Sequence, residues 1–369
     1  MNQPNLNIEI LAVPQPIKEK LRDLSQSVFI EKQSKKGACG WLFFGRNKIH
    51  NQRVAIKFYD WGGDSTYHAE PRHLAAINSE NVIAIQDASL VNNDYAYFLT
   101  PFCVNGDLDV EISNGIQGNL RAVAIVRDVL AGLSHLHSAN LLHRDLKAQN
   151  ILVDDNSRAL IGDFGSVKRI PDGSTTVPGS GHSLAYRPPE SVLSQLYGIT
   201  GDIYQVGILL YQLLGGYFPY EESAWLNKKQ LAKYQTIEDF IDKQLFAADC
   251  IKKLIVKGKM INIATLPPWV CDPLRYTIRK ACNVDPASRF LTCNEFLARL
   301  NSIRNDIHDW RIEGAVPVRY GDTKYRIVFD AKRSVYFAEK DKGAGWRKDN
   351  TLLTNTISEL VPEIENRFK

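Results

Sequence analysis

The stretch HRDLKAQNILVDDNSRALIGDFG, His143 to Gly165, concentrates oxygen ligands: Asp145, Asn150, Asp154, Asp155 and Asp163, with Lys147 among them. NILV and RALIG are short apolar runs joined by DDNS, which is a strong turn signal. Pairing the runs as an antiparallel hairpin puts Asn150 beside Asp163 at the open end. Asp145 lies in the loop just ahead of Asn150. One amide oxygen and one carboxylate suit a Mg²⁺ ion that keeps waters and shares phosphate oxygens. A second carboxylate nearby, Asp145, suits orienting a hydroxyl nucleophile and accepting its proton. Asp154 and Asp155 belong to the turn and need no further role.

The complement of such a site lies upstream. RVAIKFYD reads as a strand in which Ala55 and Lys57 share one face. A lysine facing a cleft from a strand can hold phosphates. Glu70 opens the helical run EPRHLAAI and is placed to orient Lys57 through an ion pair. Pro71 follows directly and disfavours a helical conformation for Glu70, which points to the helix start or to a kink. In KKGACGWLFFG, Gly37 and Gly40 are small enough for backbone N–H groups to approach phosphates. Trp41 in that turn reads as an exposed hydrophobe, suited to covering a nucleotide or docking a partner.

These residues need a scaffold. The chain has 369 residues, 44% of them hydrophobic and 23% charged, the composition of a globular protein with room for two lobes. The net charge of +4 is too weak to argue for nucleic acid. The longest apolar run, Val206 to Phe218, is broken by Gln212 and glycines. It is too short to span a bilayer, so it reads as a buried helix and no membrane role is expected. The N-terminus has no basic segment leading into an apolar core. Six cysteines form no C-x-x-C pair, and together these features point to a reduced, cytoplasmic chain. Residues 1–24 are polar and Pro-punctuated, a tail or a short helix laid on the body. From Ser27 to Phe102 the pattern is strand-like, with strands expected at Gly37–Gly45, Arg53–Tyr59, Val82–Ile85 and Tyr95–Leu99 and a helix around Pro71–Ile77. From Gly106 on, apolar residues such as Ala122, Val126, Val129, Leu133 and Leu136 recur at helical spacing. A β-rich half followed by a helical half predicts two lobes with a cleft. Residues 311–369 form a further β/α segment, with AVPVRY, KYRIVF and SVYFAE as strands and TISELVPEIENRF as a terminal helix.

Taken together, the motifs resemble those of the eukaryotic-type protein kinases, Ser/Thr class. VAIK matches the strand lysine, HRDLKAQN the catalytic loop and DFG the metal-binding motif. Pro188-Pro189-Glu190 stands where A-P-E ends the activation segment. GDIYQVGILLYQLL resembles the central helix that opens on an aspartate, here Asp202, and DPASRF supplies Arg289 to pair with Glu190. The resemblance implies an α+β, bilobal kinase fold over 25–305, with a β-rich N-lobe (25–100), a helical C-lobe (105–305) and a small C-terminal β/α extension over 311–369. ATP and Mg²⁺ are the implied cofactors. Gly37, Gly40, Leu42, Ala55, Lys57, Thr100, Phe102, Cys103 and Asp107 would surround the nucleotide. Asn150 and Asp163 would hold the metal. Asp145, Lys147, Lys57 and Glu70 would form the catalytic set, acting on Ser/Thr hydroxyls of protein substrates. Ser183 falls where the Ser/Thr class has a hydroxyl able to bond the catalytic Asp and Lys. Three departures stand out: Lys35 replaces the first glycine of G-x-G-x-x-G, Leu42 the usual Val, and Gln149 an acidic residue found in many basic-directed kinases. The alternative is a kinase-like scaffold without activity. Such chains usually lose one of Lys57, Asp145, Asn150 or Asp163, all of which are present here. The C-terminal segment is expected to pack on the kinase body, the other reading being a separate partner-binding module.

Overall fold

Alternation in RVAIKFYD builds the centre of an antiparallel sheet. Val54, Ile56 and Phe58 are buried on one face, which leaves Ala55 and Lys57 for the other. The computed structural model describes residues 6–34, 40–115, 118–179, 181 and 183–368. They fall into two compact units, Met1–Asp107 with Asn150–Val167, and Leu108–Gln149 with Lys168–Lys369.

The first unit is built on five strands, β1 (Val28–Gln33), β2 (Trp41–Asn47), β3 (Arg53–Asp60), β4 (Asp87–Leu90) and β5 (Tyr95–Pro101), in the order β1-β2-β3-β5-β4. Helix α1 (Gln15–Leu24) covers one face. Its Ile17 and Leu21, four residues apart and fully buried, join Ile30, Phe43, Ile56 and Phe58 in a single core. Residues 6–24 are therefore a structural layer of this unit, not a loose tail. Helix α2 (Ala69–Ala76) follows β3. A hairpin of β6 (Ile151–Val153) and β7 (Ala159–Ile161) completes the unit. Its turn is held by Asp154, which accepts from Asn156 N and Arg158 N at 2.9 and 2.8 Å. Burial pushes that carboxyl up, but the bonds from Arg158 and Asn156 outweigh it and hold the pKa below the ordinary value.

Two expectations fail here. Val82–Ile85 is not a strand of the sheet. Val82 makes one parallel bridge to Ile161 of the hairpin, and the sheet takes Asp87–Leu90 instead. Trp41 is not an exposed cover. The pleat turns it to the α1 face, where it packs on the core and meets Tyr95 edge-on at 5.7 Å. Lys35 and Gly37 lie outside the described residues, so the expected strand from Gly37 is described only from Trp41 onward.

The second unit is helical. It contains α3 (Leu108–Ser113), α4 (Asn119–Ser138), α5 (Pro189–Leu193), α6 (Ile199–Leu213), α7 (Lys228–Thr236), α8 (Phe240–Val256), α9 (Asp272–Ala281) and α10 (Cys293–Ser302). Helix α6 is buried on every side from Gly201 to Leu213, as its nearly continuous apolar sequence demands. Residues 310–354 form an antiparallel meander of five strands, β8 (Trp310–Glu313), β9 (Val316–Arg319), β10 (Lys324–Asp330), β11 (Val335–Asp341) and β12 (Arg347–Thr354). The two outer strands were not legible in the sequence, because WRIE is short and RKDNTLLT carries polar residues at most positions. Helix α11 (Ile357–Glu365) packs on the sheet. It starts at a capping box of Thr356 and Glu359 and buries Leu360, Val361 and Ile364.

This β/α layer is seated on the helices. Trp310 is fully buried and stacks on Trp269 with ring centroids 5.8 Å apart. Its Nε1 donates to Glu365 Oε1 at 2.6 Å. Asn119 Nδ2 donates to the carbonyls of Trp269 and His308, at 2.9 and 3.2 Å. Gly118 precedes α4 at φ +84°, and a Cβ there would collide with the Trp310 carbonyl. Among the described residues no helix is long and apolar enough to cross a membrane.

Candidate functional site

In the first unit, the face of the sheet opposite α1 carries the predicted nucleotide residues. Register sets Leu42 against Lys57, Ala55 against Thr100, and Lys57 against Phe98. Phe44, paired with Ala55, belongs to this face too. Its ring meets Phe102 edge-on at 4.9 Å, and the Arg53 guanidinium lies 3.7 Å from the Phe102 centroid. Phe44 escaped the sequence reading because FF in a strand gives no sign of which ring turns to which face. Gly40 adopts φ +106°, and a Cβ there would strike the Phe58 carbonyl, so only glycine fits this bend.

Lys57 Nζ lies 2.7 Å from both carboxylate oxygens of Glu70 and 3.9 Å from Asp163 Oδ1. Pro71 does not prevent the pair. Glu70 sits in the first turn of α2, where the following proline's missing N–H has no helical partner to lose. Asn150 and Asp163 flank the open end of the β6–β7 hairpin, closed by Gly162 N donating to Asn150 O at 2.8 Å. Asp163 is a non-glycine residue at φ +52°, a conformation that costs about 1–2 kcal/mol. Its carboxylate is half exposed. Among the described residues no group of three or more His, Cys, Asp or Glu could hold a metal. The Asn150 and Asp163 oxygens instead make a sparse, hard donor set, which fits Mg²⁺ sharing its shell with water and phosphate. Asp107 bridges to Leu152, which brings it to the hairpin. Cys103 is buried, and burial, followed by Asp154 and Asp155, pushes its thiol up to about 12. It is therefore a neutral packing group.

In the second unit, Asp145, Lys147 and Ser183 meet. Lys147 Nζ donates to Asp145 Oδ2 at 2.8 Å and to Ser183 Oγ at 2.7 Å. Asp202, fully buried at the start of α6, holds the loop that carries Asp145. It accepts from His143 N at 3.0 Å and Arg144 N at 2.8 Å. Tyr197 OH (2.8 Å) and His137 Nε2 (2.9 Å) complete its shell. Burial pushes the Asp202 carboxyl up, yet His137, His143 and the Arg144 amide hold it below the usual range. Arg289, fully buried, makes a two-pronged pair with Glu190 at 2.8 and 2.7 Å. His137 and Tyr197 went unnoticed in the sequence, because a lone His or Tyr near a helix end carries no signal until the fold supplies Asp202.

A sheet unit that presents Lys57 paired with Glu70, and a helical unit whose HRD loop hangs from a buried α6 aspartate, are the parts of a phosphoryl-transfer fold. The protein kinase domain family matches residues 31–299, and the chain belongs to that family, of the eukaryotic type. The expected fold class is the one found. Among its relatives, it is 29% identical over 205 residues to "Serine/threonine-protein kinase PknL" of Mycobacterium tuberculosis, covering 53% of this chain and 51% of that protein. It is 26% identical over 279 residues to "Serine/threonine-protein kinase kin-29" of Caenorhabditis elegans, covering 74% of this chain and 30% of that one. A mouse relative, "Interferon-induced, double-stranded RNA-activated protein kinase", is 28% identical over 197 residues, 48% of this chain and 38% of its own length. The chain thus spans about half the length, or less, of these curated relatives.

Proposed function

We propose that the protein transfers the γ-phosphoryl group of Mg-ATP to Ser or Thr hydroxyls of protein substrates. Lys57, oriented by Glu70, holds the α- and β-phosphates, and the Gly40 bend lets backbone approach them. Leu42, Ala55, Thr100 and Phe102 line the base, with Phe44 added from the sheet register. Asp163 and Asn150 hold Mg²⁺, which when bound neutralises phosphate charge. Asp145 orients the acceptor hydroxyl and takes its proton, and Lys147 steadies charge on the transferred group.

The observation that carries this reading is Lys147 Nζ bound to both Asp145 and Ser183. A lysine held there is placed for a short hydroxyl side chain approaching Asp145, which favours Ser/Thr over Tyr acceptors. The names of the two Ser/Thr kinase relatives agree with that class. The test is a radiolabel assay with Mg-ATP and phosphoamino-acid analysis. Phosphoserine and phosphothreonine are expected. Asp145→Asn should abolish transfer and leave Mg-ATP binding intact, whereas Asp163→Ala should abolish transfer and weaken Mg-ATP binding. Transfer at wild-type rate by both variants would refute the assignment, and a product dominated by phosphotyrosine would refute the acceptor class.

A further inference from the structure

Asp145 and Ser183 sit on two separate segments, and each segment contains a strained residue. Arg144 has φ +69° and Ser183 φ +41°, left-handed conformations that non-glycine residues hold only where neighbours over-determine them. One side chain of α6 reaches both. Gln205 is 1% exposed and uses all four of its hydrogen-bonding positions. Its Oε1 accepts from Leu146 N at 2.9 Å and from Tyr197 OH at 3.0 Å. Its Nε2 donates to Tyr186 O at 3.3 Å and to Arg144 O at 3.5 Å. Two of these groups, Arg144 O and Leu146 N, flank Asp145 in the chain. The third backbone group, Tyr186 O, closes the turn opened at Ser183, in which Tyr186 N donates to Ser183 O at 2.9 Å.

We propose that Gln205 is a positioning residue for phosphoryl transfer, a buried amide that fixes the Asp145 loop and the Ser183 segment in mutual register so that Lys147 can bridge them. The proposal rests on the kinase reading of the site and extends it. Three features carry it. The amide is fully satisfied, so its orientation is unique. Replacing Nε2 with oxygen would leave Tyr186 O and Arg144 O without their donor and face two acceptors with a third. Buried amide donors and acceptors are also the groups whose loss costs most, since the partners left behind cannot turn to water. Tyr197 sharpens the device. Its phenol is held neutral by burial and by Asp202, so its one proton is shared between Asp202 and Gln205, which joins the two α6 anchors into one unit.

The experiment compares wild type, Gln205→Leu and Gln205→Glu on a degenerate Ser/Thr peptide library with Mg-ATP, well below each protein's melting temperature. Peptide kcat, peptide KM and the Kd for Mg-ATP are measured separately. Misplacement of reacting groups by about 1 Å costs on the order of 100-fold in rate. Both variants should therefore lose roughly 30- to 100-fold in kcat, with Kd for Mg-ATP unchanged, because Lys57, Asn150 and Asp163 belong to the other unit. Gln205→Glu keeps the shape but not the donors, so it should not rescue. Wild-type kcat in either variant, or a loss of Mg-ATP affinity in step with kcat, would overturn the clamp. If a variant does not fold, amide exchange in wild type decides: Leu146 N–H must be among the protected amides, and fast exchange there overturns the proposal. Absence of transfer by wild type would sink the kinase reading itself, a result distinct from failure of the clamp.

Discussion

Replacing Trp310 with alanine tests whether the β/α layer of residues 310–368 is part of the kinase body. Trp310 is fully buried, stacks on Trp269 and donates to Glu365. Truncating a buried Trp to Ala typically costs about 3–5 kcal/mol through lost transfer energy and the cavity left behind. Glu365 keeps His308 and Arg319 as partners, so the lost indole bond adds only about 1 kcal/mol. A combined loss of about 4–6 kcal/mol, at about 2–3 °C per kcal/mol for a domain of this size, lowers the melting temperature by roughly 10–15 °C. Differential scanning calorimetry should give one transition that moves as a whole, and residual kinase activity after heating should fall on the same curve. A kinase transition that stays in place while a separate, smaller one shifts would refute the reasoning, because it would make the layer an independent module tethered near Asp309.

The α1 layer makes a parallel prediction. Leu21→Ala should destabilise by about 2–5 kcal/mol, since Leu21 is fully buried against the sheet, and urea denaturation with an unchanged midpoint would show that α1 is dispensable. Glu365 gives the pH dependence. Burial pushes its carboxyl up, but His308, Arg319 and Trp310 outweigh burial and hold it below the ordinary 4.5. A carboxyl depressed in the folded state contributes stability above the unfolded pKa and loses it as pH falls through the lowered value. Glu365→Gln should therefore be less stable than wild type at neutral pH, with the gap narrowing as pH drops below about 4.5. A gap that stays constant down that range in thermal melts would remove the carboxylate from this role.

Much of the chemistry was legible in the chain itself. Residue types close in sequence are constrained by local rules, so DDNS made a hairpin turn. The hairpin then brought Asn150 and Asp163 to one end, and VAIK put Ala55 and Lys57 on one strand face. The length of the apolar run Val206–Phe218 named a buried helix before any neighbour was known, and α6 occupies its first half. Pairings between distant segments were not legible. Whether Glu70 reaches Lys57 past Pro71 depended on where α2 begins, and that start is decided by packing. The side to which Trp41 and Phe44 turn depended on strand register, where a slip of one residue exchanges the faces. The same holds for Gln205. In sequence it is a polar residue in a largely apolar helix, like Gln212 a defect by pattern alone. Only the tertiary structure surrounds it with Leu146, Tyr197, Tyr186 and Arg144, because a buried amide is tolerated only where separate segments supply partners for every donor and acceptor it carries.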